Sequence, residues 1–146
     1  MKLFFHFALI GFANTYLIGP DAGGDAILID PGTMDGELLS LIETNRYYIK
    51  NVLINHAHTY HIRGITTLKK IYDADIYAYP PYVKELPAIS VRDGDRFSVN
   101  DIDTEVIEVP GHSSDSLVFH VGGMVFTGDV LAAGRVGNTE SSFSRA

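Results

Sequence analysis

Asn55-His56-Ala57-His58-Thr59-Tyr60-His61 is the stretch that decides the reading of this chain. Three of the six histidines fall within it. Neutral imidazole is the commonest protein ligand for zinc and related metals. The apolar run 51–54 before it reads as a buried strand, and 62–72 after it reads as a helix. The histidines therefore sit on a turn from strand to helix, at the end of a sheet, where α/β proteins place their chemistry.

Outward from this turn, the pattern alternates strands and helices early and turns to hairpins later. Segments 2–7 and 12–18 read as strands parted at Gly11, and 20–25 as a hairpin turn by composition. Strand 26–30 is stopped by Pro31-Gly32. Thr33 is placed to cap a helix whose apolar positions Leu38, Leu39, Leu41 and Ile42 recur at helical spacing and which ends near Asn45. A short strand at 75–78 is closed by Pro80-Pro81, and 83–87 reads as a connector. Strands 97–99 and 102–109 form a hairpin about Asn100-Asp101, 110–116 is a loop, and 117–121 and 124–126 flank a Gly122-Gly123 turn. The tail 138–146 resembles the opening of a helix that stops before it can bury a face, which suggests part of a longer product.

A chain of 146 residues is expected to form one domain, 1–146, with enough length for a real core. Its 11 Lys and Arg against 18 Asp and Glu give a net charge of −7, unsuited to a nucleic-acid backbone. There is no cysteine, which excludes disulfides, thiolate metal sites and a cysteine nucleophile, and fits a reducing, cytoplasmic setting. The apolar start imitates a signal peptide, but His6 interrupts it and a strand pattern follows. That apolar start is too short to span a bilayer.

Four elements bring ligand-capable side chains to strand ends. They are Asp30-Pro31-Gly32, the histidine cluster, Pro110-Gly111-His112-Ser113 and Thr127-Gly128-Asp129. Histidine and carboxylate donors arriving from separate strand ends are what a metal centre requires. These elements in this order, with Asn14-Thr15-Tyr16-Leu17-Ile18 and Gly128-Asp129-Val130-Leu131, resemble the metallo-β-lactamase superfamily, most nearly its glyoxalase II-like hydrolases. The resemblance implies an αβ/βα sandwich of two mixed β-sheets with outer helices, here C-terminally incomplete. It also implies that His56, His58 and His112 hold a first metal, that Asp129 is the carboxylate shared between two metals, and that His61 belongs to the second.

Two features depart from the family pattern H-x-H-x-D-H. Tyr60 stands at the aspartate position, and the last histidine ligand of the second metal is missing. Two ions about 3.5–4 Å apart need anionic ligands between them. A phenol with a pKa of about 10 does not replace a carboxylate. One tightly held ion is therefore expected, most readily zinc, with iron or manganese as alternatives. The expected activity is hydrolysis of a small ester or thioester by metal-activated water. The alternatives are a catalytically degenerate metal-binding or sensing domain, and a mononuclear iron redox enzyme.

Tyr60 has three readings: a packing residue filling an unused site, a weak acid in catalysis, or a ligand. Asp30 is read as orienting the histidine loop through hydrogen bonds and not as a ligand. His6 and His120 read as strand residues. Ser113 and Ser114 have no base partner outside the metal histidines. Tyr72, Tyr77, Tyr79 and Tyr82 around Pro80-Pro81 read as packing and loop anchors before a substrate groove. The partner expected is a small-molecule substrate, with a homodimer as one way to cover an open sheet edge.

Overall fold

Along the chain the elements are β1 (Lys2–Ala8), β2 (Ala13–Gly19), β3 (Gly24–Ile29), α1 (Gly36–Thr44), β4 (Tyr47–Leu53), α2 (Ile65–Ile71), β5 (Asp75–Ala78), β6 (Tyr82–Val83), β7 (Leu86–Pro87), β8 (Ile89–Ser90), β9 (Arg96–Val99), β10 (Ile102–Glu108), β11 (Leu117–Val121) and β12 (Met124–Phe126). They come from a computed structural model that describes residues 1–8, 13–32, 34–55, 64–108 and 116–127. The first sheet has the order β1-β2-β3-β4-β5-β8. It is antiparallel from β1 to β3 and parallel from β3 to β8, so it is mixed. The second has the order β12-β11-β10-β9 and is antiparallel throughout its described strands.

Burial explains the layering. In β3, Ala26, Ile27, Leu28 and Ile29 are all 0% exposed, because both faces of this strand are covered. Leu28 and Ala26 pack with Val52 and Ile76 under Leu38 and Ile42 of α1 and Ile65 and Leu68 of α2. Ile27 and Ile29 face the other way, with Ile18 and Leu53, onto Val106, Phe119 and Phe126 of the second sheet. Helices, sheet and sheet thus form three layers among the described residues. The helical fourth layer expected on the outer face of the second sheet does not appear among them.

The hairpin turns match their chemistry. Asn100 and Asp101 have φ of 48° and 66°, and Gly122 and Gly123 have 55° and 89°. Positive φ at both central positions is what a tight two-residue turn needs to match strand twist. The Asn100 side-chain amide also donates to the Asp25 carbonyl at 3.1 Å, tying this hairpin to the first sheet.

Several expectations need correction. The helix is capped by Asp35, whose Oδ1 accepts the Leu38 N–H at 2.9 Å, while Thr33, the expected cap, lies outside the described residues. A shorter capped helix results, beginning at Gly36. Strand β4 starts at Tyr47, four residues before the apolar run; its burial alternates from 47 to 51, but an exposed Tyr48 and a buried Asn51 hide that alternation in the sequence. The connector 83–87 is a hairpin of β6 and β7 turning on Lys84 and Glu85, whose φ values are 48° and 68°. No Gly or Asn marks that turn. Strand β8 was not anticipated; its two residues are exposed and carry no alternation.

The cap also reaches β1. His6, 5% exposed, has Nε2 at 3.0 Å from Asp35 Oδ2. Partial burial pulls the Asp35 pKa up, but the Leu38 N–H, His6 and the Glu37 N–H outweigh it and hold the carboxyl below 3.8. A depressed folded pKa stabilises above the unfolded value and is lost as pH falls through the folded one. Asp35→Ala should therefore cost about 1 kcal/mol at neutral pH, the usual worth of an N-cap. The gap from wild type should shrink as pH drops below 3.8, read by urea unfolding at each pH. A gap constant with pH would contradict this.

Candidate functional site

At the end of β3 the chain turns through Asp30, whose φ is 51°. A non-glycine residue there costs about 1–2 kcal/mol, so surrounding bonds must hold it. Thr15 of β2 does so. Its hydroxyl donates to the Asp30 carbonyl at 2.7 Å and accepts the Gly32 N–H at 3.2 Å. The Asp30 N–H donates to the Leu53 carbonyl at 2.9 Å. Thr15 and Asp30 are both 0% exposed, where losing such partners is expensive.

The turned backbone presents two acceptors to the next connection. Asp30 Oδ1 accepts the Asn55 N–H at 2.8 Å, and the Pro31 carbonyl accepts the Gly64 N–H at 2.9 Å. Segment 56–63 therefore leaves and re-enters the described structure beside one dipeptide. As expected, Asp30 acts by hydrogen bonding the backbone next to the histidine motif. Nearby, Tyr16 packs its ring 4.9 Å from that of Phe126. Burial and, second, the Asp30 charge push its phenol above 10.0, so it is neutral across ordinary pH.

Asn55 joins the two sheets. Its carbonyl accepts the Leu117 N–H at 2.7 Å. Its side-chain amide donates to the carbonyls of Leu117 at 2.7 Å and Phe126 at 3.0 Å. Segment 109–115 leaves from Glu108 and returns toward Leu117, and these two are cross-strand partners. Sequence reasoning gave Asn55 and Thr15 no role. The one available signal was a carboxamide placed directly after an apolar strand.

The residues expected to do chemistry, His56, His58, Tyr60, His61, His112 and Asp129, lie outside the described residues. What the structure brings together is the framework on either side of them. Among the described residues one other group could offer metal donors: His6, Asp35 and Glu37. There, His6 Nε2 meets Asp35 at 3.0 Å and Nδ1 meets Glu37 at 3.5 Å. Each ring nitrogen has its own carboxylate, and the group crowds a helix N-terminus, whose dipole disfavours a cation. It reads as a clamp between β1 and α1.

The tyrosines expected to cluster diverge. Tyr72 is buried under the helices, Tyr77 stacks on Phe97 at 4.0 Å, Tyr79 lies under Arg92, and Tyr82 is 63% exposed. They do not line one groove. An open depression beside Arg96, Glu105, His120 and Gly122 lies at the far end of the second sheet's strands from Glu108 and Leu117. It is open, of mixed polarity, and belongs to neither framework.

The family model described as the metallo-β-lactamase superfamily matches residues 9–144. The chain belongs to this superfamily. A hydroxyacylglutathione hydrolase of Xanthomonas euvesicatoria pv. vesicatoria is 32% identical over 129 residues, covering 85% of this chain and 49% of the relative. The chain spans about half the length of the first curated relatives it matches. The crystal structure of ETHE1 from Myxococcus xanthus is 28% identical with a TM-score of 0.75, over 87% of this chain and 56% of that one. The protein TTHA1623, solved in a di-iron-bound form, shares the fold with a TM-score of 0.69 at 24% identity, over 85% of this chain and 70% of that one. No helix among the described residues is long and apolar enough to cross a membrane.

Thr15→Val keeps the shape and removes both hydroxyl bonds at the Asp30 turn. It should destabilise the protein by about 2–4 kcal/mol in urea unfolding, since two buried backbone groups lose partners. Thr15→Ser keeps the hydroxyl and should cost only about 1 kcal/mol. Equal losses would mean that packing, not hydrogen bonding, holds the turn.

Proposed function

We propose that this domain is a metal-dependent hydrolase of a small ester or thioester. His56, His58 and His112 are the ligands of one tightly bound ion, and Asp129 is its carboxylate ligand. One observation supports this above all. Asn55, one residue before His56, hydrogen-bonds Leu117 and Phe126, which stand five residues after His112 and three before Asp129. Donors on three segments need such a common root to meet at one point. Three imidazoles with one carboxylate suit zinc and also ferrous iron, and we propose zinc. Such an ion supplies a Lewis acid for the substrate carbonyl and lowers the pKa of water.

The chain's own residues supply the rest. Asp30 and Thr15 fix where the histidine segment begins, and Asn55 fixes it against the second sheet. The thioester class follows from the hydroxyacylglutathione hydrolases among its relatives. Tyr60 in place of an acidic residue leaves His61 and Asp129 as the donors of a second ion, which points to a single ion. It also supports a second reading, a binding or sensing domain in which Tyr60 fills the unused position.

Metal analysis of purified protein, followed by a thioester and phosphodiester panel, tests the first reading. His112→Ala should lose the ion and reduce thioester hydrolysis by about 100-fold or more, beyond what supporting residues usually contribute. Activity unchanged in that variant would overturn the assignment. Tyr60→Asp separates the two readings. If it gains a second ion and new hydrolysis, the natural chain is the binding domain. If it loses existing activity, Tyr60 serves the hydrolase.

A further inference from the structure

Asn55 does more than continue β4. It is 2% exposed, and both hydrogens of its side-chain amide are spent on carbonyls of two different strands, Leu117 at the start of β11 and Phe126 at the end of β12. Its own N–H goes to Asp30 and its carbonyl to the Leu117 N–H. No other side chain fills this position as well. Aspartate has the shape but no hydrogens to give, serine and threonine carry one donor on a shorter stem, and glutamine is a methylene too long. The chain order adds the functional sense. His56 follows Asn55 directly, segment 109–115 closes on Leu117 through Ser116, and Thr127-Gly128-Asp129 follows Phe126.

We propose that Asn55 is a positioning residue that fixes the three donor-bearing segments against one another and so sets metal affinity, beyond any contribution to folding. This rests on the metal-site reading above. The side chain acts through the backbone of its neighbours, not by touching the ion. A carboxamide bridging two carbonyls holds their separation to within hydrogen-bond tolerance, and supporting bonds of this kind commonly change metal affinity by about 10–100-fold.

The experiment measures zinc affinity by competition with a chromophoric chelator on the metal-stripped, full chain. It compares wild type, Asn55→Asp, Asn55→Ser and His112→Ala. Val106→Ala is the control: Val106 is 0% exposed in the core between the sheets, and its apolar side chain takes no part in the hydrogen bonds that tie Asn55 to Leu117 and Phe126. Urea unfolding of the metal-free proteins ranks their stability. The expected result is a loss of about 10–100-fold in zinc affinity for Asn55→Asp and Asn55→Ser, with Val106→Ala within about 3-fold of wild type although destabilised. Should Asn55→Asp fail to fold, Asn55→Ser alone decides. Affinity retained by Asn55→Ser, or lost equally by Val106→Ala, overturns the proposal. Failure of the underlying site reading looks different: wild type then binds no zinc, or His112→Ala binds as tightly as wild type, and both ideas fall together.

Discussion

One left-handed residue governs this end of the molecule. Asp30 sits at φ 51° because the Thr15 hydroxyl holds its carbonyl and the Gly32 N–H at once. From that turn, Asp30 Oδ1 and the Pro31 carbonyl catch the N–H groups on both sides of segment 56–63. If the turn relaxed to an ordinary β conformation, both acceptors would swing away together. Backbone strain of this kind persists only when neighbours over-determine it, and it concentrates where geometry must be held.

Asn55 then carries the constraint from one sheet to the other. The hydrophobic contact of Ile27, Ile29 and Leu53 with Val106 and Phe119 presses the sheets together, but apolar packing is not directional. Hydrogen bonds from a buried amide are. They turn a face-to-face contact into a fixed register at the end where the donor-bearing segments emerge. Energy from the core and direction from a few polar groups are separate contributions.

Much of this was legible in the sequence. The histidine cluster after an apolar strand, Asp30-Pro31-Gly32, and the motifs at His112 and Asp129 were enough to expect the superfamily that the family match establishes. Strands that carry an apolar run, residues 26–29 in β3 and 117–119 in β11, announced themselves. What escaped lacked a periodic signal. An exposed Tyr48 and a buried Asn51 masked the start of β4, the Lys84-Glu85 turn has no glycine, and β8 is two exposed residues long. Asp35 was overlooked as a cap because Thr33, two residues earlier, is also of a capping type, and only the contact with Leu38 picks out Asp35. The roles of Thr15 and Asn55 depend on partners 15 to 71 residues away, which no local pattern encodes.

The amide of Asn100 reaching Asp25 has a consequence of its own. It fastens the second sheet to the first by the opposite tip from Asn55. A layered scaffold riveted at both tips resists gliding of one layer over the other. Changes in the connecting segments can then alter what is bound while the frame beneath keeps its shape, which is how one architecture comes to serve many substrates.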